Sequence, residues 1–193
     1  MRLVVGISGG SGVIYGVRML EALKRTGAET HLIMTQAAKE TLVLETDYSV
    51  SHVEGLSSYN YRINDIAALP ASGSYQTDGM IVIPCSMKSL AGIAVGYEDN
   101  LLIRAAAVTL KENRKLVLVP RETPLTTIHI ENMLRVANAG AIVVPAMPGF
   151  YYRPKSVDDM IDYVVGKVLD ILGVEHELYR RWSGPPGPRS RRR

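Results

Sequence analysis

Five short runs of apolar, mostly branched residues recur along the chain: Leu3–Ile7, Thr30–Met34, Met80–Ile83, Leu116–Val119 and Ala141–Val144. Apolar side chains on successive residues suit strands buried on both faces, as in a parallel sheet. Helical spacing separates each run from the next, at about 12–26, 36–45, 87–95, 101–112 and 126–139, with a last helix at 157–172. That last helix is the best marked. Ser156 and Asp159 form a capping box, Met160, Ile161, Val164, Val165, Val168 and Leu169 make an apolar stripe, and Gly173 stops it. Strands joined through helices require right-handed crossovers, so the expected fold is α/β, a parallel sheet flanked on both faces by helices. The one long irregular stretch, 46–78, is rich in Ser, Tyr and Asn and reads as a functional loop.

Three of the runs lead into proline: Ile81-Val82-Ile83-Pro84, Val117-Leu118-Val119-Pro120 and Val143-Val144-Pro145. Proline has no N–H to give to a ladder, so each strand is expected to stop there and release a loop at the carboxyl edge. Open α/β sheets bind their ligands at that edge. The polar residues beside these stops are therefore the candidates: Ser8 to Gly12, Thr35, Cys85 to Ser89, Arg121 with Glu122, and Met147 to Arg153. All five loops are expected to converge on one crevice.

Charge narrows the class of ligand. The net charge is +3, but Arg189, Arg191, Arg192 and Arg193 lie in a tail without acids, and taking these four charges from +3 leaves −1 for the rest. The folded part is not basic, so no nucleic-acid partner is expected, and residues 183–193 read as a disordered basic tail. A single domain over 1–182 is expected from a length that suits one core. No apolar run approaches the roughly 20 residues of a membrane span, so no membrane association is expected. The single cysteine, Cys85, allows no internal disulfide, and Met1 to Gly10 lacks the features of a secretory signal; a cytoplasmic location is expected.

The first loop, Gly6-Ile-Ser-Gly-Gly-Ser-Gly12, presents backbone N–H groups at a helix start, which suits a phosphate; the same glycines also suit close strand-to-helix packing. It is no dinucleotide fingerprint, because Tyr15 stands where the third glycine belongs and Thr35 where the ribose-binding acid belongs. No Gly-Lys-Ser/Thr follows, so it is no nucleoside triphosphate loop either. A mononucleotide such as FMN is the simplest fit. Arg104, Lys111, Arg121, Arg153 and Lys167 suggest a second anion site, and only Arg121 sits directly beside an acid, Glu122, able to move a proton. The four histidines lack ligand spacing, so no metal is expected. Cys85 suits packing or a flavin-facing position better than a nucleophile's role, and on spacing alone Glu45 and Trp182 read equally as a surface acid and a C-terminal anchor.

Seven segments in order carry a resemblance: Gly6-Ile-Ser-Gly-Gly-Ser-Gly-Val-Ile-Tyr-Gly16, Leu44-Glu-Thr-Asp47, Ala71-Ser-Gly-Ser74, Pro84-Cys-Ser-Met-Lys88, Val119-Pro-Arg-Glu-Thr-Pro124, His129-Ile-Glu-Asn-Met-Leu134 and Pro148-Gly-Phe-Tyr-Tyr-Arg-Pro154. From about residue 2 to Trp182 the chain resembles the UbiX-type flavin prenyltransferases, a group that includes bacterial proteins once named as components of phenolic (hydroxyarylic) acid decarboxylases. The resemblance implies a three-layer flavodoxin-like or Rossmann-like fold and a homododecamer with active sites at subunit interfaces. It implies metal-independent transfer of dimethylallyl from dimethylallyl phosphate to N5 and C6 of reduced FMN, giving prenylated FMN for a UbiD-type decarboxylase. By the same resemblance, Gly9, Gly10, Ser11, Thr35, Ser86, Met87, Lys88, Ser89 and Arg121 hold the flavin. Tyr151, Lys167, Arg104, Lys111, Ser72, Gly73 and Ser74 bind the donor. Ser11 and Glu45 handle the N5 proton, Glu122 stands beside the leaving phosphate, and Trp182 covers the prenyl group.

Two positions depart from the family pattern. Lys167 stands where arginine is usual, which keeps the charge and loses the fork, and Ala107 replaces an aspartate, which is expected to unpair Arg104. Two other readings compete: a flavin-dependent cysteine decarboxylase using Cys85, and a flavin-binding carrier or accessory subunit of an aromatic-acid decarboxylase.

Overall fold

A computed structural model describes residues 1–182 and Gly184; the expected tail, 183–193, otherwise lies outside the described residues. Six strands form one sheet in the order β3-β2-β1-β4-β5-β6, every neighbouring pair parallel. They are β1 (Arg2–Ile7), β2 (Glu29–Met34), β3 (Tyr59–Tyr61), β4 (Gly79–Cys85), β5 (Lys115–Pro120) and β6 (Ile142–Val143). Side chains alternate between two cores, as a pleated sheet requires, up to the register shift after Val82. Leu3, Val5, Ile7, Ile81, Ile83, Val117 and Val119 pack on one face, and Val4, Met80, Val82, Leu116 and Leu118 on the other. Helices α1 (Ile14–Arg25) and α7 (Val157–Leu172) cover the first face, while α4 (Met87–Val95), α5 (Leu101–Lys111) and α6 (Thr127–Asn138) cover the second. Gly16 lets α1 lie close to the sheet, since a Cβ there would meet the Ile83 carbonyl oxygen at 2.6 Å. Two further helices, α2 (Gln36–Glu45) and α3 (Val50–Glu54), follow β2.

The five expected strands taken alone give the flavodoxin order, and the sixth extends it to the Rossmann order. That sixth strand, β3, lies inside the stretch read as irregular, together with α3 and a 3₁₀ turn at Leu69–Ala71. Its edge position is fixed by a buried polar group on β2. His31 lies within hydrogen-bond distance of Tyr61 Oη (2.8 Å) and Glu29 Oε1 (2.9 Å) and stacks on Tyr59 at 5.0 Å.

Two strand expectations are corrected. β4 continues through Pro84 to Cys85, because a register shift between Val82 and Cys85 removes the need for a ladder donor at the proline. The last strand is two residues long rather than four and is not fully buried, since β6 is an edge strand paired only with β5 and Ile142 is exposed. Helix boundaries agree with expectation to within two residues, and α7 agrees at both ends, its Gly173 stop lying at φ 76°. Among the described residues no helix is long and apolar enough to cross a membrane.

Candidate active site

The chain runs outward from β1 to β2 and then returns to place β4 on the other side of β1, so the loops after β1 and β4 part company at a topological switch point. Ser8 stitches these two loops together. Its Oγ donates to the Pro84 carbonyl (3.0 Å) and accepts from the Ser86 N–H (2.7 Å). Gly9 is required by contact, since a Cβ there would lie 2.4 Å from Ala37 Cβ, and Gly10 packs beside Ser86, whose Cα would be 3.6 Å from a Cβ at position 10. Loops 8–13, 35–37 and 84–89 therefore meet, and α1, α2 and α4 all begin there. Thr35 caps α2 by accepting from the Ala38 N–H (3.1 Å), and Ser86 caps α4 by accepting from the Ser89 N–H (3.3 Å). The starts of α1, α2 and α4 thus lie together at one crevice, with Ser11 exposed there and Thr35 and Ser86 half-buried around it.

The start of α1 is used differently from expectation. Val13 offers no side-chain cap. Instead Glu45, at the end of α2, reaches across so that its Oε2 accepts from the N–H groups of Gly12 (2.8 Å) and Val13 (3.3 Å). Those two amides are committed to a carboxylate of the protein itself, so they are not the phosphate site that the glycine pattern suggested. The consequence is local: Glu45 is brought to the same turn as the exposed hydroxyl of Ser11.

Beside the crevice, the loops after β5 and β6 enclose a cleft of about 270 Å³ lined by Arg121 and Glu122, by Met87 of α4 and Met133 of α6, and by Ala146 and Met147. Burial pushes the Tyr15 hydroxyl upward while the Arg121 cation opposes the shift, which puts Arg121 within electrostatic reach of α1. Glu122 Oε1 accepts from the adjacent Thr123 N–H (3.0 Å). Arg121 is exposed and forms no ion pair among the described residues. Lys88 is likewise exposed at the first turn of α4.

The remaining candidates fall into two other groups. Ser72, Gly73 and Ser74 precede β4 and lie against Lys111, Glu112 and Arg114, which precede β5: Arg114 Nη2 donates to the Gly73 carbonyl (2.7 Å), and Ser72 and Ser74 pair at 2.8 Å. This group sits at the amino edge of the sheet, a strand's length of roughly 20 Å from the crevice. Arg104, in the first turn of α5 and nearer the carboxyl edge, donates to the Ala71 carbonyl (3.2 Å) and is also paired with Glu98 (2.7 Å), so Ala107 does not leave it without a partner. Lys111 pairs closely with Glu112. Within a single chain, therefore, Lys111 does not share a phosphate with Arg121.

Tyr151, Lys167 and Trp182 form the third group, on the outer side of α7. The rings of Tyr151 and Trp182 meet edge to face at 5.8 Å, and Tyr151 Oη lies 2.7 Å from Tyr163 Oη. Tyr163 escaped the motif reading, although its spacing of four from Lys167 puts both on one helix face. Ser8, one of the polar candidates after β1, is buried and bridges two loops, a role that no local sequence signal gives.

Cys85 is fully buried, and burial pushes its thiol up to about 12. Such a thiol is neither nucleophilic nor accessible. We predict that Cys85 in the native protein stays unmodified by a disulfide reagent at pH 8 and reacts fully after denaturation; rapid native labelling would reopen the cysteine-decarboxylase reading. Among the described residues no group of three or more His, Cys, Asp or Glu side chains is arranged to hold a metal.

The chain matches the Flavoprotein family over residues 1–171. It is 53% identical over 191 residues to a probable UbiX-like flavin prenyltransferase of Escherichia coli, covering 98% of this chain and 97% of the relative. The crystal structure of AnUbiX (PadA1) in complex with FMN and dimethylallyl pyrophosphate superposes with a TM-score of 0.94 at 48% identity, covering 96% of this chain and 98% of the other. A dodecameric FMN-dependent UbiX-like decarboxylase from Escherichia coli O157:H7 gives a TM-score of 0.94 at 54% identity, covering 95% of this chain and all of the other.

Proposed function

Because this chain belongs to the UbiX-like flavin prenyltransferases of the flavoprotein family, we propose that it transfers dimethylallyl from dimethylallyl phosphate to reduced FMN, making prenylated FMN. The observation that carries the reading is the crevice at the switch point, where three helix starts, a ring of small hydroxyl residues and the carboxylate of Glu45 meet beside Arg121 and Glu122. The donor set suits a flavin mononucleotide: neutral hydroxyls and amides for its polar edges, cations for its phosphate, and glycines that keep the floor of the crevice open.

Gly9, Gly10, Ser11, Thr35, Ser86, Met87, Lys88, Ser89 and Arg121 would hold FMN. When bound and reduced, the flavin supplies the nucleophilic N5 and C6 positions that accept the prenyl carbons. The work of the chain's own residues is electrostatic and protonic. Departure of phosphate leaves positive charge growing on the prenyl group, so the pocket needs cations at one end and aromatic faces at the other. Arg121 and Lys167 serve the first need, Tyr151 and Trp182 the second. Glu45 uses Oε2 to accept its two amide hydrogen bonds, which leaves Oε1 to take the N5 proton with Ser11 as the neighbouring hydroxyl. Glu122 exchanges a proton with the departing phosphate.

Ser72, Gly73, Ser74, Arg104 and Lys111 complete the donor site from a neighbouring copy. The reading is supported by the distance of Ser72, Gly73, Ser74 and Lys111 from the crevice within one chain and by exposed apolar side chains suited to assembly, Leu44 on α2 and Ile128, Ile130 and Leu134 on α6. The assembly is a dodecamer like that of the Escherichia coli O157:H7 relative. Residues 1–182 act as one flavin-binding domain, and the cytoplasmic product passes to a UbiD-type decarboxylase. The test is phosphate release from dimethylallyl phosphate, assayed anaerobically. Release that requires reduced FMN supports transfer to the flavin; release at the same rate without FMN contradicts it.

A further inference from the structure

Beyond Gly173 the chain turns back along α7 instead of leaving the domain, and no helix or strand holds residues 174–182 in place. What holds them is gathered on one side chain. The Asp170 carboxylate accepts from the Tyr179 hydroxyl, from Arg181 Nη2 at 2.6 Å and from His176 Nε2 at 3.1 Å, with Lys167 Nζ at 3.8 Å. Three of these four partners belong to the returning segment. The segment also rests in a notch that α7 makes for it: a Cβ on Gly166 would lie 2.6 Å from the Tyr179 ring and 2.7 Å from His176 Cε1. Val174 and Leu178 add apolar contacts to the first core.

We propose that Asp170 is a positioning residue that clasps the returning segment onto α7 and thereby sets Trp182 against Tyr151. Arg181, held by Asp170, is the residue immediately before Trp182, and its guanidinium also lies 5.8 Å over the Tyr179 ring. Trp182 itself is 62% exposed and is held chiefly by its edge-to-face contact with Tyr151, so its place depends on the residues before it. Tyr163 extends the contact inward, hydrogen-bonded to Tyr151 and 5.1 Å from Tyr179. Burial alone would raise the Asp170 carboxyl, but the hydrogen bonds from Arg181, Tyr179 and His176 outweigh it and hold the group below the usual carboxylate range. The carboxylate is therefore charged when it binds its three donors, and charge-assisted bonds of this kind are about twice as strong as neutral ones.

The same carboxylate lies one turn from Lys167. Its consequence for the reaction rests on the reading that Tyr151, Lys167 and Trp182 face the prenyl donor: releasing the clasp would move the aromatic cover away from it. Donor binding would weaken, while proton transfer at Glu45, on the other side of α1, would be untouched.

Trp182 is the sole tryptophan of the chain, so its emission reports on the segment directly. The test is tryptophan fluorescence of the purified full-length Asp170→Asn protein beside the parent, with Trp182→Phe as the blank. A red-shifted emission and a lower anisotropy are expected, together with a donor kcat/KM lowered about tenfold. Gly166→Ala, which leaves Asp170 in place and pushes the segment out of its notch, should give the same emission change. Emission identical to the parent in both variants would overturn the clasp. The fluorescence needs neither flavin nor donor: a shifted emission in a protein that transfers no prenyl group would uphold the clasp and count only against the transferase reading.

Discussion

Replacing Glu45 with glutamine is expected to lower the rate of prenyl transfer by about 10²- to 10⁴-fold, the usual worth of a positioned proton carrier, while the protein folds and assembles as before. The geometry separates the two roles. Oε2 of Glu45 accepts from the Gly12 and Val13 N–H groups and so caps an otherwise uncapped α1. A glutamine carbonyl can accept the same two bonds, so the cap survives Glu45→Gln; what is lost is the ability to take a proton. Glu45→Ala would remove both functions, lowering stability by about 1 kcal/mol as the loss of a helix cap does. The comparison is made by anaerobic initial rates at saturating donor, with urea midpoints measured alongside. A glutamine variant as fast as the parent would remove Glu45 from the proton path and leave it a structural cap.

The second large effect is expected at Arg121. Replacement by alanine should reduce kcat/KM for the donor by about 10²- to 10³-fold, as loss of a charge-stabilising group in a closed site does. Arg121 has no carboxylate partner among the described residues, and it stands at the mouth of the cleft next to Glu122, so its guanidinium is uncommitted until an anion arrives. Replacement by lysine keeps the charge and loses the bidentate fork, and should fall between the two. The expected pattern is a raised KM and a lowered kcat together, because the same cation holds the bound phosphate and balances the charge that accumulates on it as it departs. Steady-state kinetics with phosphate release as readout give both numbers. If Arg121→Ala leaves both unchanged, the phosphate lies elsewhere.

The parts of this molecule that could be read from sequence are those with local causes. The stripe and caps of α7 depend on residues of one helix and its two flanks, and Ser156, Asp159 and Gly173 stand in the structure where the pattern put them. The carboxyl-edge loops could be read because the polar residues after β1, β2, β4 and β5 follow directly on buried strands. Contacts across the sheet could not. β3 is three residues of a polar edge, Tyr59-Asn60-Tyr61, and depends on His31 from a neighbouring strand. The strand through Pro84 depends on a register shift that no single strand encodes. Glu45 as the cap of α1 spans 33 residues, and Arg104 takes Glu98 as partner instead of a residue one turn along its own helix. Asp170 carries no sequence signal of its role because its three donors lie beyond the glycine that ends the helix. The separation of Ser72, Gly73, Ser74 and Lys111 from Arg121 within one chain was not legible, because motif order carries no distances.

A chain that builds a new carbon framework on FMN leaves its record in the flavin itself. The measurement is mass spectrometry of the flavin released after anaerobic incubation of the protein with reduced FMN and dimethylallyl phosphate, and in a parallel sample with the diphosphate. A flavin heavier by one prenyl unit, formed with at least one donor and absent without donor or in Glu45→Gln over the same interval, is the predicted result. Recovery of unmodified FMN with both donors, from folded protein that has bound its flavin, would contradict prenyl transfer and leave a flavin carrier in its place.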